Sequence, residues 1–266
     1  MAQETFPVLL RNRSALTAGK NVARFITAMN RKYYKWYSPS LGRDMELLVF
    51  GHAGTPVLVF PTSMGRFYDY EDRGMIHAIR SRYENGDIQA YCVDSVDAES
   101  WYNKSLQPRD RVLRHLDYED YLLREIIPFI ISRDPPRAPI VTGCSFGAYH
   151  AVNFALRHPD LVTGCVSMGG AFDIHQFLDG YFDDNCYFNC PPDFLPNLND
   201  PWYHARFREL TKFVLATGEH DICLEENCRL SKIMKERGIP HYLDVWGTAT
   251  GHDWPWWRQM AVKFLP

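Results

Sequence analysis

The chain has 266 residues, of which 46% are hydrophobic and 23% charged, with a formal net charge of -3. That balance lacks the basic surplus of a nucleic-acid binder, and no run nears the roughly 20 apolar residues needed to span a bilayer. A core of this size needs no staples. The seven cysteines therefore read as scattered, mostly buried thiols in a reducing compartment, with the cytoplasm the expected location. A structural zinc or a Cys186–Cys190 bridge is the alternative reading. The opening Met1-Ala-Gln-Glu-Thr-Phe6 has no basic stretch followed by an apolar one, so no signal peptide is expected.

In chain order, β-rich runs predict strands at 33–37, 45–50, 56–60, 88–93, 139–142, 161–168, 212–216 and 242–246. Several are continuously apolar, as in central strands buried on both faces. Between them, Tyr118, Tyr121, Leu122, Ile126 and Phe129 recur at helical spacing and predict a helix over 118–132. Pro128 should kink that helix or mark its last turns. Further helices are predicted at 224–236 and 256–264. Strand alternating with helix implies an α/β fold, a mainly parallel eight-stranded sheet with helices on both sides. A single domain over 1–266 is expected. The stretch 172–199 breaks the rhythm, with Gly180, Pro191, Pro192 and Pro196 among seven aromatic residues. Long irregular insertions are often lids, so it reads as an aromatic-rich cap extending to about 209, or else as a packing excursion.

The most informative segment is Pro139-Ile-Val-Thr-Gly143-Cys144-Ser145-Phe146-Gly147, which contains Gly-x-Ser-x-Gly. An apolar run precedes it, and Ala148, Ala151, Val152, Ala155 and Leu156 follow at the spacing of a helix packed on a sheet. Strand, glycine-flanked serine and helix form the context in which a serine is lifted clear of a sheet as a nucleophile. The backbone N–H of Phe146, at the helix N-terminus, would face a carbonyl under attack. A serine needs a base to take its proton, and the base needs an orienting acid. In this architecture the acid and then the histidine follow along the chain. Lys212-Phe-Val-Leu-Ala-Thr-Gly218-Glu219-His220-Asp221 is a strand ending in an acid, with Asp221 favoured over Glu219 as the deeper in its loop. Tyr242-Leu-Asp-Val-Trp-Gly-Thr-Ala-Thr-Gly251-His252 ends in the histidine, and only His252 among ten meets the order and position. A second N–H donor is expected after the third strand, in Phe60-Pro61-Thr62-Ser63-Met64, at Ser63 with Thr62 second.

These features resemble the α/β-hydrolase superfamily. The helix Tyr121-Leu-Leu-Arg-Glu-Ile-Ile-Pro-Phe-Ile, Gly218-x-x-Asp221 and His252-x-Trp254 are similar, more narrowly, to the putative-esterase family that includes esterase D-like S-formylglutathione hydrolases, feruloyl esterases and mycolyltransferases. The resemblance runs from about Met45 to the C-terminus and implies ester or thioester hydrolysis through an acyl-enzyme, without cofactor or metal. The chain departs from that pattern at Pro61-Thr62-Ser63, where many relatives have a glycine-rich loop. The expected substrate is a small or medium carboxylic ester. An acyltransferase with the same residues and an inactive fold used for binding are the alternatives, and a homo-oligomer is compatible. Arg66, Tyr68, Trp101 and Trp254 are the expected pocket lining. The acid-and-aromatic loop 94–102 has two readings: Trp101 and Tyr102 walling a pocket, or Asp94 and Asp97 holding loops through backbone N–H groups.

Overall fold

In the computed structural model, residues 30–133 and 137–266 are described; the expectation for Met1 to Phe6 lies outside them. Among the described residues eight strands form one sheet: β1 (Arg31–Ser38), β2 (Arg43–Phe50), β3 (Thr55–Phe60), β4 (Ile88–Val93), β5 (Ile140–Cys144), β6 (Gly164–Met168), β7 (Lys212–His220) and β8 (Tyr242–Gly251). Their order is β1-β2-β4-β3-β5-β6-β7-β8. The first two pairings are antiparallel, and the five from β4 through β8 are parallel. Hence the sheet is mainly parallel, as the alternation implied.

Burial explains why the central strands read as unbroken apolar runs. Leu58, Phe60, Val141, Cys165 and Leu215 pack on one face. Their chain neighbours Val57, Val59, Ile140, Val166 and Val214 pack on the other. Side chains alternate across a strand, so with both faces covered neither parity can be polar. At the edge, β1 alternates instead, and its exposed Arg31, Lys32 and Lys35 discourage further strand pairing.

Helices α1 (Asp69–Asp72), α2 (Met75–Ala78) and α3 (Arg80–Asn85) follow β3. They are too short to leave a periodic signal. The helix predicted over 118–132 is the second half of a longer one. α4 (Pro108–Tyr121) leads through a π-helical turn (Leu122–Ile126) into α5 (Ile127–Ile131). Pro108 occupies the first turn, where its missing N–H costs nothing. The wide turn falls just ahead of Pro128, which has no N–H to donate and whose ring crowds the carbonyl four residues back. The first half was illegible because its buried face includes Arg111 and His115.

After β5 comes α6 (Phe146–Arg157), and after β6 a run of short elements: α7 (Asp184–Phe188), α8 (Pro191–Phe194) and α9 (Pro201–Glu209), with 3-10 turns at His175–Phe177 and Leu195–Asn197. The predicted strand 161–168 begins only at Gly164, because Leu161 closes a turn onto the His158 carbonyl. α10 (Leu224–Glu236) has its predicted bounds, and α11 (Trp254–Phe264) starts two residues early, where Asp253 caps its first turn by accepting from the Trp254 N–H. The aromatic stretch 172–199 is folded inward. Phe177, Leu178, Cys186 and Cys190 are buried in a third cluster with Trp101, Phe146 and Tyr149, whereas Phe182 and Phe188 are exposed. The seven cysteines carry no disulfide, and only Cys228 is exposed. Among the described residues no helix is long and apolar enough to cross a membrane.

Candidate active site

Ser145 follows the last residue of β5 and precedes the first of α6, with φ 55° and ψ -123°. That is a strained backbone for a residue with a β-carbon. Two glycines make the turn possible. A β-carbon on Gly143 would lie 2.2 Å from the Gly147 carbonyl carbon, and one on Gly147 would lie 2.4 Å from the Pro61 oxygen. The second figure also shows how closely α6 approaches the end of β3. The Ser145 N–H donates to the Met168 carbonyl at 2.9 Å, which ties the turn to β6.

His252, just past β8, has one ring nitrogen (Nε2) 2.9 Å from Ser145 Oγ and the other (Nδ1) 2.8 Å from Asp221 Oδ1. An ionised carboxylate only accepts, so Nδ1–H donates to Asp221; in the neutral ring Nε2 is then the acceptor of the Ser145 O–H. Asp221 lies in the loop after β7 and is buried. Its Oδ1 also accepts from the Cys223 N–H at 2.8 Å, while its Oδ2 has no hydrogen-bond partner among the described residues. Glu219, the competing acid, lies exposed at the end of β7. Trp257 stands edge-on to the His252 ring at 4.8 Å and 88°. Gly169, at φ +58°, faces Asp221, His252 and Trp257 together. Neither Trp257 nor Gly169 was found from sequence. The available hints were the Gly169-Gly170 pair after β6 and the aromatic run after His252.

Between Thr62 and Ser63, the hydrogen bonds favour Ser63 as a free donor. The Thr62 N–H donates to Asp69 Oδ2 at 3.0 Å and the Met64 N–H to Asp97 Oδ2 at 3.1 Å. The N–H groups of Ser63 and Phe146 have no acceptor among the described residues. Ser63 Oγ accepts from the Tyr102 hydroxyl at 2.8 Å.

The expected pocket lining fares unevenly. Arg66 and Tyr68 border a cavity of about 400 Å³ together with Met64. The Arg66 guanidinium is already engaged by Asp94 at 2.6 Å and Glu46 at 2.7 Å. Trp101 is not pocket lining: it is wholly buried, against His115, Tyr149 and Phe177. Its large apolar ring is worth more inside the third cluster than at a surface. Trp254 is half-buried, two residues beyond His252. It packs on the opposite core with Tyr70 and Trp257, and Arg73 lies over its ring.

Two donor clusters have the composition of metal sites, Asp221 with Cys223 and His252, and Asp173 with His175 and Cys190. In the first, both imidazole nitrogens are hydrogen-bonded, and burial pushes the Cys223 thiol up to about 12. In the second, the two nitrogens of His175 face Asp173 at 2.6 Å and Asp193 at 3.3 Å. Burial also raises the Cys144 thiol, beside the serine, far above its ordinary value, so it is no rival nucleophile.

A mainly parallel sheet flanked by helices, with a serine on a sharp strand-to-helix turn and an acid and a histidine past the last two strands, defines a hydrolase of the α/β-hydrolase fold. The profile of the putative-esterase family matches residues 38–264, and the chain belongs to that family of carboxylic ester hydrolases. Its fold is similar to that of a ferulic acid esterase, with TM-score 0.70 and 16% identity over 90% of this chain and 97% of that one. It is also similar to an S-formylglutathione hydrolase from Agrobacterium tumefaciens, with TM-score 0.68 and 15% identity over 89% and 94% of the two chains. The S-formylglutathione hydrolase FrmB from Staphylococcus aureus gives TM-score 0.62 and 17% identity over 87% and 93%. At such identities the likeness is one of fold. No curated protein sequence matches the chain.

Proposed function

We propose that the protein cleaves a small or medium carboxylic ester through an acyl-enzyme on Ser145, with His252 as base and Asp221 as its orienting acid. The observation that carries the reading is the unbroken line of two hydrogen bonds, 2.9 and 2.8 Å long, from serine through imidazole to carboxylate. As Ser145 Oγ attacks the acyl carbon, its proton passes to His252 Nε2. Asp221 stays ionised and stabilises the resulting imidazolium through Nδ1–H. The Phe146 and Ser63 N–H groups, which have no other acceptor among the described residues, bind the oxyanion. The tetrahedral adduct collapses as Nε2–H protonates the leaving alcohol. Water then repeats the sequence on the acyl-enzyme, giving its proton to Nε2 and releasing the acid. No step requires a cofactor or a metal.

In this reading the segment 172–209 is a cap on one domain, packed beside the nucleophile through Phe146 and Phe177, whose rings lie 5.3 Å apart. The expected setting is the cytoplasm. Ser145→Ala should lower turnover of a nitrophenyl ester by roughly four to six orders of magnitude with the fold intact. Undiminished turnover refutes the assignment. Product analysis with added alcohols separates hydrolysis from acyl transfer.

A further inference from the structure

The loop 94–102 after β4 grips the loop 63–67 residue by residue. Asp94 Oδ1 accepts from Arg66 Nε at 2.6 Å and from the Phe67 N–H at 3.3 Å. Ser95 Oγ donates to the Gly65 carbonyl at 2.8 Å. Asp97 Oδ2 accepts from the Met64 N–H, and the Tyr102 hydroxyl donates to Ser63 Oγ. Every residue from 63 to 67 is thus held by this one loop.

Asp97 does more than hold a loop. Its other oxygen lies 2.8 Å from His150 Nε2, which must donate to it. His150 sits on α6 one turn beyond Phe146, and the two rings meet edge to face at 5.0 Å. A single carboxylate, 1% exposed, therefore joins the helix that begins at one oxyanion donor to the loop that carries the other. Tyr102 spans the same gap a second time, with its hydroxyl on Ser63 and its ring edge-on to Phe146 at 5.5 Å. Met64 adopts φ 54°, a conformation that persists in a residue with a β-carbon only where the surroundings impose it. Here the surroundings are the turn closed by the Gly65 N–H on the Thr62 carbonyl at 2.7 Å and the Asp97 bond to the Met64 N–H. With Thr62 held by Asp69 on one side and Met64 by Asp97 on the other, the Ser63 N–H between them has no acceptor among the described residues. For the fold alone, a buried carboxylate is an expensive way to join two elements.

We propose that the loop 94–102 is a brace that aims the Ser63 N–H at the oxyanion, with Asp97 as its central positioning residue and Tyr102 as the second. This rests on the ester-hydrolysis reading above. Removing an oxyanion donor costs about 10²- to 10³-fold in kcat, and misplacing a catalytic group by an ångström costs roughly 10²-fold. Asp97→Ala should therefore lower kcat on a nitrophenyl ester about 100-fold, with KM changed by less than about 3-fold. Affinity for a boronic acid that mimics the tetrahedral adduct should fall in parallel with kcat. Asp97→Asn should recover most of the loss, because its carbonyl accepts from Met64 while its amide donates to the other tautomer of His150. Tyr102→Phe leaves the packing in place and should cost about 5-fold in kcat, which keeps the test open should Asp97→Ala fold poorly. Wild-type kcat in folded Asp97→Ala or in Tyr102→Phe, an effect confined to KM, or an Asn variant as slow as the Ala variant each overturns the proposal. Ser145→Ala measured alongside separates the two readings. If it is inactive while Asp97→Ala is unaffected, the brace alone fails; if it stays active, the hydrolase reading fails and the brace with it.

Discussion

Replacing Gly169 by Ala adds one methyl group at the point where the acid, the imidazole and an indole converge. Its β-carbon would lie 2.7 Å from Asp221 Oδ2, 3.0 Å from Trp257 Nε1 and 3.2 Å from His252 Nδ1. The first distance is below any real carbon contact, so the carboxylate must move by several tenths of an ångström. Among the described residues no hydrogen bond holds Asp221 Oδ2 against the push. Turning the carboxyl group away carries Oδ1 off Nδ1 and loosens the imidazole. Loss of the acid altogether costs about 10⁴-fold, and an ångström of misplacement about 10²-fold. The kcat of Gly169→Ala should fall 10²- to 10³-fold, by the same scale. The backbone adds its own penalty, about 1–2 kcal/mol for a β-carbon at φ +58°, which urea denaturation will read as a lower midpoint. Steady-state kinetics on a nitrophenyl ester gives the first quantity. A variant within threefold of wild-type kcat would refute the claim that the Asp221–His252 contact sets the rate.

The strain at Ser145 makes a second prediction. Ser145→Gly and Ser145→Ala should both be inactive, yet the glycine variant should be the more stable by about 1 kcal/mol, reversing the usual order of Ala over Gly; chemical denaturation of the pair decides it. His115 is held neutral: burial first and the neighbouring His150 second lower it from 6.5 to about 3. The unfolded chain then binds more protons than the folded one between those values, so stability rises with pH across that window and is lost on acidification. Melting temperature against pH should show this slope, and His115→Gln should flatten it. Trp257→Ala should cost roughly 3–5 kcal/mol of stability by opening a cavity. It should also lower kcat about tenfold or more by freeing the His252 ring, while Trp257→Phe, which keeps an edge-on ring, should retain most activity.

Much of the fold was legible because periodicity survives burial. Unbroken apolar runs such as Pro56-Val-Leu-Val-Phe60 read as central strands, since helices cover both faces of the sheet and each parity must be apolar. The stripe from Ala148 to Leu156 read as a helix for the same reason. Ser145, Asp221 and His252 were legible through a different signal, the order in which a parallel sheet delivers strand ends to one rim. The first half of α4 was not, because its buried side carries Arg111, whose charge is met by Asp179 from the segment after β6. Trp101 looked like a pocket wall because an aromatic ring beside a strand end carries the same letter whether it lines a site or fills a core.

What the residues alone determined, then, was local: strand and helix periods, the glycines that a sharp turn demands, and the chain order of serine, acid and histidine. Only the tertiary structure could decide that Gly169 abuts Asp221, that Trp257 rather than Trp254 flanks the imidazole, and that Asp97 bridges His150 to Met64. The first and last of those contacts join residues dozens of positions apart. Burial and hydrogen bonding are set by which elements meet in space, and no period along the chain records that.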